Sequence, residues 1–346
     1  MKACVLHAVN DLRYEEVETP KAKSGEVLLK IRAASICGSD IQRVFEKGTY
    51  HFPTIPGHEF SGEIIEVADD VEKSLIGKKA TVFPLLPCRK CESCEVGEYA
   101  QCKDYNYFGS RCDGGFAEYL AVPVWNLVLA PESLSYEEAA MSEPASVALH
   151  ALRQAGIEYG DTVAIFGAST IGLILASWSK AWGAGKVILI DIDQKKLDFA
   201  NSLGFEYCIN SMETDTIANI QEWTKGKGAD VAVEGTGASP ALENCLKAAK
   251  TFGRIVFMGN PIGEMKVSQK AYWEILRKQL MVKGTWNSSF NGQNNDWEQS
   301  IAAMSSGKLN LKPLITHRFD FKDCNIAFNL IREKKELAVK VIFINN

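Results

Sequence analysis

The sequence predicts an α/β protein in which a doubly wound parallel sheet accompanies a second, mostly antiparallel, β-rich half. Three observations carry that prediction. At 346 residues the chain is too long for one comfortable hydrophobic core, so two domains are expected. Up to about residue 145 it shows short apolar runs punctuated by Gly and Pro, and from about 147 strand-length runs alternate with helix-length segments. In the first half "GEVLLKIRAASI", "GEIIEVADDV", "KKATVFPLL" and "FAEYLAVP" read as strands. In the second, "DTVAIFG", "KVILIDID", "ADVAVEGTG" and "RIVFMG" read as strands, and "STIGLILASWSKAWGA", "QKKLDFANSLG" and "SPALENCLKAAKTFG" as the helices between them. The tail from roughly 287 carries "LKPLITHRFD" and finishes on a strand-like "LAVKVIFINN".

Hydrophobic residues at 46% and charged residues at 23% are ordinary for a globular protein. No stretch approaches the ~20 apolar residues of a membrane span. The opening "MKACVLHAVNDLRYEE" has neither the apolar region nor the cleavage site of a secretory signal, so a cytoplasmic protein is expected. The net charge of -5 is spread without a basic block, which argues against a nucleic-acid partner. In a reducing cytosol, clustered cysteines bind metal more often than they form disulfides, and the chain has ten cysteines.

Four of them, Cys88, Cys91, Cys94 and Cys102, follow C-x2-C-x2-C-x7-C. A short loop with that spacing can fold back and present four sulfurs at the corners of a tetrahedron. Four thiolates saturate zinc and leave no open position, so the site would be structural; an iron-sulfur cluster is the alternative use of such spacing. A second set of donors lies in "CGSD" and "GHEFSG", which supply a thiolate (Cys37), an imidazole (His58) and a carboxylate (Glu59). Three protein ligands of mixed type leave a position for substrate, the arrangement of a catalytic zinc. Taken singly, His58 would be a structural histidine and Cys37 a core thiol.

The stretch around His58 fits G-H-E-x2-G-x5-[GA]-x2-V, with Ala68 and Val71 in place. With the cysteine loop, it resembles the zinc-containing medium-chain dehydrogenase/reductase family over essentially the whole chain. The resemblance implies a GroES-like catalytic domain at 1–146 and 287–346 and a Rossmann dinucleotide-binding domain at 147–286. It also implies two zinc ions per chain, a structural one on the four cysteines and a catalytic one on Cys37, His58 and a third carboxylate. That carboxylate is Glu143, in "SEPASVALHA", or Glu59, and the two stay unranked; Glu143 could also be a helix-start carboxylate.

"VAIFGASTIGL" places Gly167 at a strand end and Gly172 in the first turn of a helix, with Ser169, Thr170 and Ile171 between them. The dinucleotide fingerprint G-x-G-x-x-G uses its middle glycine for close approach of the backbone to pyrophosphate. Here Ser169 departs from it, and a displaced or hydroxyl-bonded pyrophosphate is expected. Asp191 ends "KVILID" where a carboxylate accepts hydrogen bonds from the adenosine ribose and repels a 2'-phosphate, which favours NAD over NADP. Asp191 or Asp193 could instead cap the next helix. Lys196 would flank the adenine or face solvent.

The implied reaction is oxidation of a secondary hydroxyl with hydride transfer to NAD. Ser39 would pass the proton outward, or cap a helix. Many alcohol-oxidising relatives have a histidine three residues beyond that hydroxyl; here it is Gln42, which is no base, so Glu59 and His51 become exit candidates. Within the family, "CGSDIQRVFEKGTYHFPTIPGHEFSG", "PLLPC", "YFGSRCDGGFAEY" and "EILRKQLMVKGTWNSSF" resemble the branch acting on galactitol 1-phosphate. A phosphate dianion needs a cation, for which Arg43 and Arg111 are candidates, with Trp286 and Asn287 as a further wall. Oxidation of an unphosphorylated sorbitol- or xylitol-type polyol, or of threonine or butanediol, is the rival. A catalytically silent nicotinamide sensor is the rival from another class, but it would have no need of an open metal site. The resemblance also implies a homodimer or homotetramer.

Overall fold

The computed structural model describes residues 1–261 and 263–345. The chain divides into two compact units, Met1–Ser146 with Ser289–Asn346, and Val147–Ser288.

The first unit is built on a seven-stranded sheet. Its order is Ile315–Phe319, Lys340–Ile344, Glu26–Ser35, Glu59–Val67, Lys79–Val82 and Leu127–Leu129, and Tyr119–Pro123 also pairs with Glu26–Ser35. Its pairings are antiparallel except that of Ile315–Phe319 with Lys340–Ile344. Glu26–Ser35 takes the centre, with Val27, Leu29, Ile31, Ala33 and Ala34 all buried and Lys30 and Arg32 alternating with them. Below it Phe116 packs edge-on against Phe328 and Phe343, with ring centroids 5.9 and 5.1 Å away. One register detail positions the site: Ser35 lies opposite both Glu59 and Ile342. The chain just after one strand (Cys37), just before the second (His58) and at the start of a third (Lys340) is thereby brought to one end of the sheet.

In the second unit all six strands are parallel. They run in the order Tyr207–Asn210, Lys186–Asp191, Thr162–Phe166, Ala229–Glu234, Ala249–Phe257 and Met281–Gly284. Numbered by chain position this is 3-2-1-4-5-6, the doubly wound order that binds dinucleotides where the winding reverses. The apolar runs are buried as a parallel sheet requires, with Val163, Ala164, Ile165, Ile188, Leu189, Val231 and Val233 inaccessible to solvent. Cys245 lies in the core of this unit, as Cys4 and Cys324 do in that of the first. Among the described residues no helix is long and apolar enough to cross a membrane.

Candidate active site

The ligand atoms of Cys37, His58 and Glu59 lie within 4.8 Å of one another. Gly57, at φ +97, makes the approach to His58: a Cβ there would sit 2.5 Å from the Phe116 ring, so neither the backbone nor the packing admits another residue. Cys37 is the N-cap of the short helix Gly38–Gln42, and its N–H donates to Asp40 Oδ2 at 3.0 Å. Asp40 Oδ1 lies 3.4 Å from His58 Nδ1, which leaves the other ring nitrogen for a metal. Burial opposes ionisation of Asp40, but His58 and Arg43 hold its carboxyl at about 2.

Glu59 is almost wholly buried and accepts at Oε2 from Lys340 Nζ at 2.6 Å and from Ser35 Oγ. Lys340 is itself buried. Burial alone would lower its pKa, but the charges of Glu59 and Cys37 raise it. Glu143, in the first turn of the helix Ser142–Ala155, stands outside the close ligand set. Its Oε1 accepts from Tyr107 Oη at 3.4 Å, and burial, with Glu59 as a charged neighbour, pushes its carboxyl up to about 7. The Tyr107 ring lies 5.8 Å from that of His58.

These donors fit a divalent cation. Cys37, His58 and Glu59 offer a thiol, an imidazole and a carboxylate, the mixed set that zinc takes. Asp40 and Cys37 overcome the burial of His58 and raise its pKa well above the ordinary value, and a dication would take the place of that proton.

The four-cysteine loop fits zinc on distance. Cys91 Sγ is 3.5 Å from Cys94 Sγ and 3.9 Å from Cys102 Sγ, against the ~3.8 Å edge of a tetrahedron with ~2.3 Å Zn–S bonds. Backbone N–H groups of Lys103 and Cys94 pull the Cys91 thiol down to about 6, while burial and neighbouring thiols push Cys94 up to about 12. The loop leans on aromatic rings that sequence reasoning missed. Arg89 lies over Trp125 at 4.2 Å, and Trp125 meets both Tyr99 and Phe290 at 5.1 Å.

The remaining candidates take these places. Ser39 Oγ accepts from Arg43 Nη1 at 3.0 Å, and the same nitrogen donates to Asp40 Oδ1 at 2.8 Å. Arg43 opens a π-helical turn, Arg43–Lys47, directly after the Gly38–Gln42 helix. Gln42 accepts from Lys47 Nζ instead. Arg111 is sandwiched between Tyr50 and Tyr105, its guanidinium carbon 4.1 and 4.4 Å from the ring centroids. The ring nitrogens of His51 lie 3.1 Å from Pro53 O and 3.2 Å from Arg111 O. Trp286, which is exposed, and Asn287 belong to the second unit.

Also in the second unit, Gly172 closes the turn after Thr162–Phe166. A Cβ there would stand 1.8 Å from Gly167 O. Ser169 is the N-cap of the helix Thr170–Ala181, and its side chain makes no capping bond; the helix N-terminus fits an anion. Thr170 and Ile171 form the first turn of that helix. Asp193, not Asp191, caps the next helix, Gln194–Ser202. The Asp191 carboxylate accepts from the N–H groups of Ala168, Ile192 and Asp193 at 2.7, 2.8 and 3.0 Å, with Lys196 Nζ 3.6 Å away. It is thereby tied to the glycine turn itself.

Of the residues around the metal donors, sequence reasoning passed over Asp40, Tyr107, Ser35 and Lys340. Lys340 carries a signal as a lone charge inside the apolar "LAVKVIFI", and Asp40 carries one in its i,i+3 spacing to Arg43.

The profile of the alcohol dehydrogenase GroES-like domain matches residues 23–132, and that of the zinc-binding dehydrogenases matches 170–306. The chain is 35% identical over 324 residues to galactitol 1-phosphate 5-dehydrogenase of Escherichia coli K12, covering 93% of this chain and 94% of that one. It is 31% identical over 351 residues to sorbitol dehydrogenase of Bacillus subtilis 168, covering 100% and 98%. The crystal structure of galactitol-1-phosphate dehydrogenase from Escherichia coli superposes with a TM-score of 0.93 at 34% identity, covering 100% of both chains. With donors for zinc in one unit and a dinucleotide turn in the other, the chain is a polyol or alcohol dehydrogenase belonging to the zinc-containing medium-chain dehydrogenase/reductase family.

Proposed function

We propose that the protein oxidises a secondary hydroxyl of a sugar alcohol phosphate, galactitol 1-phosphate or a close analogue, with NAD as hydride acceptor. The observation that carries the choice of a phosphorylated substrate is the pair of arginines in the catalytic unit. Arg43 spends one nitrogen on Ser39 and Asp40, and the rest of its fork has no hydrogen-bond partner among the described residues. Arg111 is held flat between two tyrosines and has a further donor on Tyr50 Oη at 3.2 Å. Guanidinium groups braced in this way suit a phosphate.

Zinc, bound by Cys37, His58 and Glu59 with Glu143 as the alternative carboxylate, would lower the pKa of a substrate hydroxyl, and NAD would accept the hydride. The protein's own groups do the rest. Asp40 orients His58, and Lys340 with Ser35 holds one oxygen of Glu59. Ser39 Oγ already accepts from Arg43, so its single hydrogen remains to be passed on as the substrate proton arrives. With Gln42 turned to Lys47, the Glu143 carboxyl and Tyr107 hydroxyl are the next proton carriers to test. Asp191 disfavours a 2'-phosphate, which supports NAD over NADP. A closed second zinc on the four cysteines would organise the loop.

The test is reduction of NAD by zinc-loaded protein with galactitol 1-phosphate and with sorbitol at equal concentration. Strong preference for the phosphate ester is expected, and Arg111→Ala should lower kcat/KM for it by about 10- to 100-fold, as for one lost charged hydrogen bond. Preference for sorbitol would keep the reaction and discard the phosphate role of both arginines. No turnover with either would reopen both the substrate class and the sensor reading.

A further inference from the structure

Glu234 is a buried carboxylate that the reaction as described does not use. It ends the strand Ala229–Glu234 and is 1% exposed. Its Oε1 accepts from Thr236 N–H, Thr236 Oγ1 and Gly237 N–H at 2.7, 2.6 and 3.0 Å, which ties down the loop beyond the strand. Its Oε2 faces Gly259, where a Cβ would stand 2.5 Å away. No lysine, arginine or histidine among the described residues forms an ion pair with it. Holding that loop requires an acceptor, and a neutral amide would serve; the charge is surplus to that need and costly to bury without a cation.

The place of Glu234 in the sheet shows what could compensate it. Phe166, Glu234, Phe257 and Gly284 stand in one row at the carboxyl ends of adjacent strands. Gly235 N–H donates to Phe166 O at 2.9 Å, and a Cβ on Gly167 would touch the Thr236 methyl at 3.1 Å. A dinucleotide crossing the switch point, with its adenosine toward Asp191 and its pyrophosphate on the Gly167–Gly172 turn, carries its nicotinamide to the side where Glu234, Phe257 and Gly284 end. The nicotinamide ring is positively charged in the oxidised cofactor and neutral in the reduced one. We infer that Glu234 is a charge-selective residue that favours binding of NAD+ over NADH and so promotes release of the reduced product. The inference rests on the nicotinamide reading above and deepens it.

The experiment measures the dissociation constants of NAD+ and NADH separately, without substrate, for the wild type and Glu234→Gln. Glutamine keeps an acceptor for Thr236 and Gly237 and removes only the charge. Under an effective dielectric constant of about 20, a nearby buried unit charge changes the affinity for a cation roughly tenfold. NAD+ binding should therefore weaken about tenfold in the variant while NADH binding stays within about twofold. Equal weakening of both would show a purely structural role and overturn the inference, as would no change in either. If Glu234→Gln does not fold, wild-type binding of NAD+ and of its neutral tetrahydro analogue is compared; about tenfold preference for the cation supports the inference and equal affinity overturns it. Failure of the wild type to bind either form of NAD would remove the cofactor reading, and this inference with it.

Discussion

The four-cysteine loop and the Cys37–His58–Glu59 cluster are both candidate metal sites by their donors, yet they are built in opposite ways. The loop takes all its ligands from fifteen consecutive positions, Cys88 to Cys102, and all are sulfur, so a bound zinc would be complete without help from elsewhere. The cluster takes its ligands from two segments brought together by strand register, and two of its three donors are steered by another residue: His58 by Asp40, Glu59 by Lys340 and Ser35. A saturated site can be local and self-contained. An open one must have its geometry imposed by the fold, because no fourth protein ligand finishes it.

Breaking the closed site should have the largest effect on stability. Structural zinc is worth about 10–16 kcal/mol in small peptides. Cys94→Ser should release one zinc and lower the thermal midpoint by about 10 °C or more, checked by metal analysis and calorimetry. Breaking the open site should act on chemistry instead. Cys37→Ser should cost turnover on the order of a thousandfold, several kcal/mol of transition-state stabilisation, with the midpoint within a few degrees of wild type. Lys340→Met tests whether the open site depends on a residue that is not a ligand. Removing one partner of a buried ion pair costs about 3–5 kcal/mol, so the variant should lose stability and lose or rebind its catalytic zinc at a changed rate, while the four-cysteine site keeps its metal. The smallest change concerns the second unit. Because Ser169 makes no capping bond, Ser169→Gly should leave the Kd for NAD level or improve it by up to about threefold, under 1 kcal/mol; a large loss would show that the hydroxyl is required.

The same contrast explains what was legible in the sequence. The cysteine spacing and the βα alternation are local patterns, so the closed site and the parallel half could be read directly. Cys37, His58 and Glu59 could be found as short motifs, but their convergence depends on Ser35 facing Glu59 across two strands. Lys340 is 281 positions from Glu59, and its role exists only once Lys340–Ile344 lies beside Glu26–Ser35. Tyr107 reaches Glu143 by the same kind of long-range packing. Arg43 is a candidate for phosphate in the sequence, and its tie to Ser39 and Asp40 also follows from helical spacing. The preference for Asp193 over Asp191 as a helix cap was a local choice between two adjacent carboxylates, which the backbone path decides.

The measurement that tests the central claim most directly is stepwise removal of metal from the holoenzyme by a chelator, with zinc release, turnover and circular dichroism followed together. One zinc per chain should leave first and take all activity with it while the spectrum stays native, and the second should leave only as the first unit loses structure. Simultaneous release of both zincs, or retention of activity after the first has gone, would contradict the division into an open catalytic site and a closed structural one.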